Sequence, residues 1–97
     1  TRIDWERVTI EGPVYIGSSV QVEPGATIIG PAWIGHGSHI RAGATVTRSI
    51  LFEYTRIGAA MNFSEMIVSP HYCVDRAGAT VYRGDDNSPL RWSDARA

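Results

Sequence analysis

From Ile16 to Val46 an aliphatic residue returns at every sixth position, as Ile16, Val22, Ile28, Ile34, Ile40 and Val46. Four places after each of the first five stand Val20, Ala26, Ala32, Ser38 and Ala44, which are small enough to face inward as well. A helix repeats near 3.6 residues and a plain strand near 2, so neither accounts for a period of six. A short strand and a tight turn, repeated with one side always facing in, does account for it. The pattern predicts an all-β parallel β-helix, a solenoid in which each coil closes the face of the one below. Run backwards, the frame reaches Ile10 with Val14 and then Asp4 with Val8, and Trp5 is expected to cover the first rung.

Three hexads make one triangular coil of eighteen residues, and coils stack at the β-ladder spacing of ~4.8 Å. Ile10, Ile28 and Val46 then form one interior column, Ile16 and Ile34 a second, and Val22 and Ile40 a third. After Val46 the frame slips by one. Leu51, Ile57 and Phe63 take the aliphatic places, with Thr55, Met61 and Ile67 four positions later. The string Arg41-Ala42-Gly43-Ala44-Thr45-Val46 recurs as Arg76-Ala77-Gly78-Ala79-Thr80-Val81. That displacement equals one coil of eighteen plus one of seventeen, in keeping with the slip. Ser69 and Asp75 fall on aliphatic places, so the last coil is expected to be irregular around Ser69–Tyr72. The expected organisation is four to five coils over residues 1–83 and a loop and capping tail over 84–97, in which Leu90 and Trp92 cover the open end. Ala44→Leu should overpack such a thin core, and Ile34→Asp should bury an unpaired charge.

Composition narrows the function. The 97 residues are enough for one small domain, and 43% hydrophobic content supports a packed core. A formal net charge of −1 leaves no electrostatic footprint for nucleic acid or a membrane surface. No apolar run approaches the ~20 residues of a membrane span, and no signal-peptide pattern opens the chain. The one cysteine, Cys73, excludes an internal disulfide and favours a cytoplasmic setting. Cys73 and Met61 read as core fillers.

Ile16-Gly17, Ile34-Gly35 and Ile57-Gly58, with Pro24-Gly25-Ala26 between them, resemble the hexapeptide-repeat left-handed β-helix. The left hand is what the resemblance implies, since β crossovers are otherwise right-handed. Val46-Thr47-Arg48-Ser49-Ile50-Leu51, followed by Thr55-Arg56-Ile57-Gly58, is similar to the carboxy-terminal solenoid of sugar-1-phosphate nucleotidylyltransferases, most closely mannose-1-phosphate guanylyltransferase-like proteins. In that family the chemistry sits in an amino-terminal α/β domain whose Gly-rich nucleotide loop has no counterpart here. The resemblance therefore implies a non-catalytic assembly module, with an upstream nucleotide-binding domain in a longer parent, no cofactor and no catalytic residue in this chain. It also implies a homo-oligomer, a trimer above other orders. The alternative is a small hexapeptide acyltransferase or a gamma-carbonic-anhydrase-like protein with its site between subunits. No insertion interrupts residues 10–68, where such acyltransferases extrude a covering loop.

In the slipped frame His36, Glu53 and His71 occupy one hexad position in successive coils. They could share a metal, but an exposed polar ladder is the better reading, because the position five after His71 is Arg76 rather than the second histidine of the carbonic-anhydrase pattern. Tyr54 and Tyr72 should stack one position further on. With Phe52, and with Tyr15 and Trp33 on outward positions, they form the candidate interface, since aromatics are enriched at interface cores. Arg41, Arg48, Arg56 and Arg76 read as solvated turn residues, though an anion could sit among them.

Overall fold

The computed structural model describes residues 2–75, 81–83 and 92–96. Among these residues fifteen short strands, numbered along the chain, build three faces. The first face stacks β1 (Arg2–Ile3), β4 (Gln21–Val22), β7 (His39–Ile40) and β10 (Thr55–Ile57) in parallel. The second stacks β2 (Thr9–Glu11), β5 (Thr27–Ile29), β8 (Thr45–Thr47) and β11 (Asn62–Ser64). The third stacks β3 (Val14–Ile16), β6 (Ala32–Ile34), β9 (Ile50–Leu51) and β12 (Met66–Val68). Each face thus carries four parallel strands, which makes the molecule a parallel β-solenoid of about four coils.

The three interior columns are those of the six-residue period. Ile28, Val46 and Phe63 are fully buried below Ile10 on the second face. Ile34, Leu51 and Val68 follow Ile16 on the third, and Val22, Ile40 and Ile57 follow Ile3 on the first. The small places are buried at Val20, Ala26, Ser38, Ala44 and Thr55. Two of these are polar and are satisfied: Ser38 Oγ donates to the Phe52 carbonyl at 3.1 Å, and Thr55 Oγ1 donates to the same oxygen at 2.9 Å.

Two expectations fail at the ends of the coils. Trp5 does not cover the first rung: it is 63% exposed, and β1 lies along that end instead. Ile67 does not face inward either; Met66 and Val68 are buried on either side of it. A second five-residue step causes this, because Phe63 is followed in the interior by Val68, as Val46 was by Leu51. Both steps fall at one corner, where Arg48 and Glu65 turn the chain with positive φ of 46° and 55°. In the earlier coils that corner is Gly12-Pro13 and Gly30-Pro31, one residue longer.

After Val68 the chain reverses. Ser69 N–H donates to the Tyr72 carbonyl at 2.8 Å, and β13 (Tyr72–Asp75) returns antiparallel on β12. Next, β14 (Val81–Arg83) is antiparallel to β13, so Val81 lies opposite Val74 rather than above Val46 in a further coil. Residues 76–80, which carry the rest of the repeated string, and Leu90 lie outside the described residues. Finally β15 (Trp92–Asp94) runs antiparallel to β10, and Trp92 is buried with its ring edge-on to Phe63 at 6.4 Å. Trp92 thus covers the interior at this end.

Candidate functional site

The outer side of the third face is apolar where a solvated strand would be polar. Because alternate residues point to opposite sides of a strand, the register that buries Ile34, Leu51 and Val68 turns their neighbours outward. Tyr15, Trp33, Ile50, Ile67 and Val74 lie in one row across β3, β6, β9, β12 and β13. The first four are exposed, by 52%, 50%, 42% and 36%. Tyr15 and Trp33 stack on each other, with ring centroids 4.0 Å apart and planes at 20°. Single exposed apolar residues are ordinary; a contiguous row of them across a sheet is not.

A shallow groove flanks the row on each side. One, of about 890 Å³, is bordered by Trp33, His36, Phe52, Glu53 and His71. The other, of about 760 Å³, is bordered by Pro13, Pro31, Arg48, Glu65 and Ile67. The first is edged by corners at which backbones approach closely. A Cβ on Gly35 would come within 2.8 Å of the backbone at Phe52 and Glu53, and one on Gly17 within 2.9 Å of the His36 nitrogen. Glycine is therefore required at both corners, and each fixes the polar residue that follows it.

Of the predicted column, His36 and Glu53 stay in line through Ile34 and Leu51, and His71 does not. Ser18 Oγ and His36 Nδ1 are hydrogen-bonded at 2.7 Å, a pairing not anticipated from sequence. His36 meets the Tyr54 ring edge-on at 5.3 Å, and the Arg96 guanidinium lies over the same ring at 4.5 Å. The second five-residue step puts Pro70, not His71, in line with Glu53. His71 sits at the chain reversal, with Nε2 3.9 Å from Asp94. Among the described residues no three His, Cys, Asp or Glu side chains lie close enough to hold a metal ion. Tyr72 is 51% exposed and pairs through Ser69 with the row of Phe52, so it does not stack on Tyr54. Phe52 is 52% exposed.

Two ionic clusters brace this architecture. Asp94 accepts from the side chain of Arg96 at 3.0 Å through each carboxylate oxygen and from its backbone N–H at 2.9 Å. The Arg96 side-chain bonds, then its backbone bond, hold the Asp94 carboxyl down to about 2. On the first face, Glu23 accepts from the His39 ring, from Arg41 Nε at 3.2 Å and from Ala42 N–H at 3.2 Å. Burial opposes the Glu23 charge, but the His39 and Ala42 hydrogen bonds outweigh it and hold the carboxyl below its ordinary value. Cys73 is buried; that burial, with the Asp75 charge, pushes its thiol up to about 12, which makes it an inert core residue.

The regular stacking of six-residue steps into three parallel faces is the architecture of the hexapeptide-repeat left-handed β-helix, and the fold of this chain is of that class. The family described as bacterial transferase hexapeptide (six repeats) matches residues 5–48. The chain is also similar to a UTP–glucose-1-phosphate uridylyltransferase of Synechocystis sp., with 44% identity over 78 residues. The match covers 80% of this chain but 20% of that protein, so the chain spans about a fifth of its relative. Both the relative and the guanylyltransferase-like proteins of the sequence resemblance are sugar-1-phosphate nucleotidylyltransferases by name. Among the described residues no helix is long and apolar enough to cross a membrane.

Proposed function

We propose that this chain is a non-catalytic assembly module of the sugar-1-phosphate nucleotidylyltransferase kind, acting in the cytoplasm by joining copies of itself. The observation that carries this reading is the outward row Tyr15, Trp33, Ile50 and Ile67, left exposed although the interior beneath it is complete. The likeness to a uridylyltransferase supports the kind of parent in which such a module would serve. Sedimentation at high micromolar concentration should give a species heavier than the 10.6 kDa chain. Ile50→Arg, on the exposed side of β9, should return it to monomer with the melting temperature nearly unchanged. A monomeric parent protein at that concentration refutes the proposal.

A second reading, a small enzyme with its site between subunits, is favoured by one observation, the Ser18–His36 hydrogen bond at the edge of a groove. A histidine so held could serve as a general base. Calorimetric titration with acetyl-coenzyme A tests it: absence of binding removes the acyltransferase reading.

A further inference from the structure

The third face has a property that the self-association reading alone does not require: it is complementary to itself. Its six strands lie in the order β14, β13, β12, β9, β6, β3, so its centre falls between β12 and β9. We infer that two copies of this chain pack third face to third face about a two-fold axis that runs parallel to the strands through that centre. This inference rests on the self-association proposed above and replaces the three-fold order implied by resemblance.

Such an axis reverses the order of coils but keeps position along the strand. β9 then lies over the partner's β12, β6 over β13, and β3 over β14, with no strand of the face left uncovered. Three pairings follow. Ile50 meets the partner's Ile67 at the centre, twice. Trp33, the largest side chain of the row, meets the partner's Val74, the smallest member, so tall residues oppose short ones and the two surfaces close. At the corner edge, Arg48 meets the partner's Glu65, and Glu65 meets the partner's Arg48.

That last pairing is the most specific of the three. Arg48 and Glu65 occupy the same corner in successive coils, both border the groove beside the apolar row, and neither makes an ion pair among the described residues. On the opposite edge, the same operation brings Glu53, also without an ion pair there, toward the reversal that carries His71. Opposed charges at the rim of an apolar centre fix register and suppress wrong arrangements. A two-fold axis along the solenoid would instead set Tyr15 and Trp33 against their own copies and hold the faces apart at the other end.

The experiment uses two charge-reversed chains, Arg48→Glu and Glu65→Arg. Each alone sets like charges together twice, so its self-association should weaken by at least about tenfold in sedimentation. Mixed in equal amounts, they should form a heterodimer of twice the chain mass, because every corner contact across the interface then joins one carboxylate to one guanidinium. A pairing within one chain cannot produce rescue by mixing, nor can the axis along the solenoid, which would turn the carboxylate introduced by Arg48→Glu toward Glu53 rather than toward position 65. Circular dichroism of each single variant checks that the coils are intact; should either fail to fold, Arg48→Gln mixed with Glu65→Gln replaces the pair, with the parent chain required to associate more tightly than any combination. A parent chain that is trimeric, or single variants that dimerise like the parent, or a mixture that stays monomeric, overturns the two-fold arrangement while leaving self-association in place. A monomeric parent overturns both.

Discussion

At the scale of single residues, the solenoid depends on places where two backbones nearly touch and on carboxylates that tie the corners of successive coils. Gly35 illustrates the first, since any Cβ there would strike the backbone of the next coil. Glu23 illustrates the second: it reaches from one corner to His39, Arg41 and the Ala42 N–H in the coil above. Its carboxyl is held below the ordinary value near 4.3. A depressed carboxyl stabilises the fold above its unfolded pKa, and the contribution is lost as pH falls through the folded one. Glu23→Gln should therefore melt at a lower temperature than the parent at pH 6, and the gap should be smaller at pH 3. Thermal melts at the two pH values check this; an equal gap at both would mean that the charge of Glu23 is not what joins these coils.

At the scale of elements, the two five-residue corners explain why the sequence was readable up to Phe63 and misleading beyond it. Each six-residue step keeps one aliphatic residue inside, so Ile28, Ile34 and Ile40 declare their columns without help from any partner. The first shortened step is equally plain, because Leu51 and Ile57 resume the frame. The second hides behind composition: Met66, Ile67 and Val68 are all apolar, and only the ladder decides that the middle one faces out. The repeated string ending in Val81 strengthened the wrong frame, since a returning antiparallel strand uses the same alternation as a further coil. The Arg48–Glu65 pair was not anticipated, although Phe63 in register with Val46 already sets the two residues in line. Ser49 shows what holds the shortened corner. It is buried, its Oγ donates to the Thr47 carbonyl at 2.8 Å, and it accepts from Met66 N–H at 3.1 Å. Ser49→Ala leaves the Met66 N–H without that partner and should cost about 1–3 kcal/mol. Urea unfolding measures it; a loss well under 1 kcal/mol would show that water or a backbone shift replaces the hydroxyl.

At the scale of the whole molecule, a stack of coils has two ends, and each must cover interior side chains that no further coil reaches. One end is met by β1, whose Ile3 packs against the core. At the other, β15 reverses direction against β10 and sets Trp92 over Phe63. Trp92 stood out in the sequence as a large apolar residue after a polar stretch; the antiparallel pairing that sets it over Phe63 did not, because it joins Trp92 to Ile57, far back in the chain. Trp92 also carries a cost, since its buried Nε1–H finds no acceptor among the described residues. The two components can be separated by substitution. Trp92→Ala removes the ring and the cover of Phe63 and should destabilise by about 3–5 kcal/mol. Trp92→Phe keeps most of the apolar contact and removes the unsatisfied donor, whose burial costs roughly 1–3 kcal/mol. The lost ring volume works in the other direction by a similar amount, so Trp92→Phe should unfold in urea within about 1 kcal/mol of the parent. If both variants lose stability equally, the indole N–H is satisfied in solution and holds the end closed. If neither does, the solenoid ends at Phe63 without a cap.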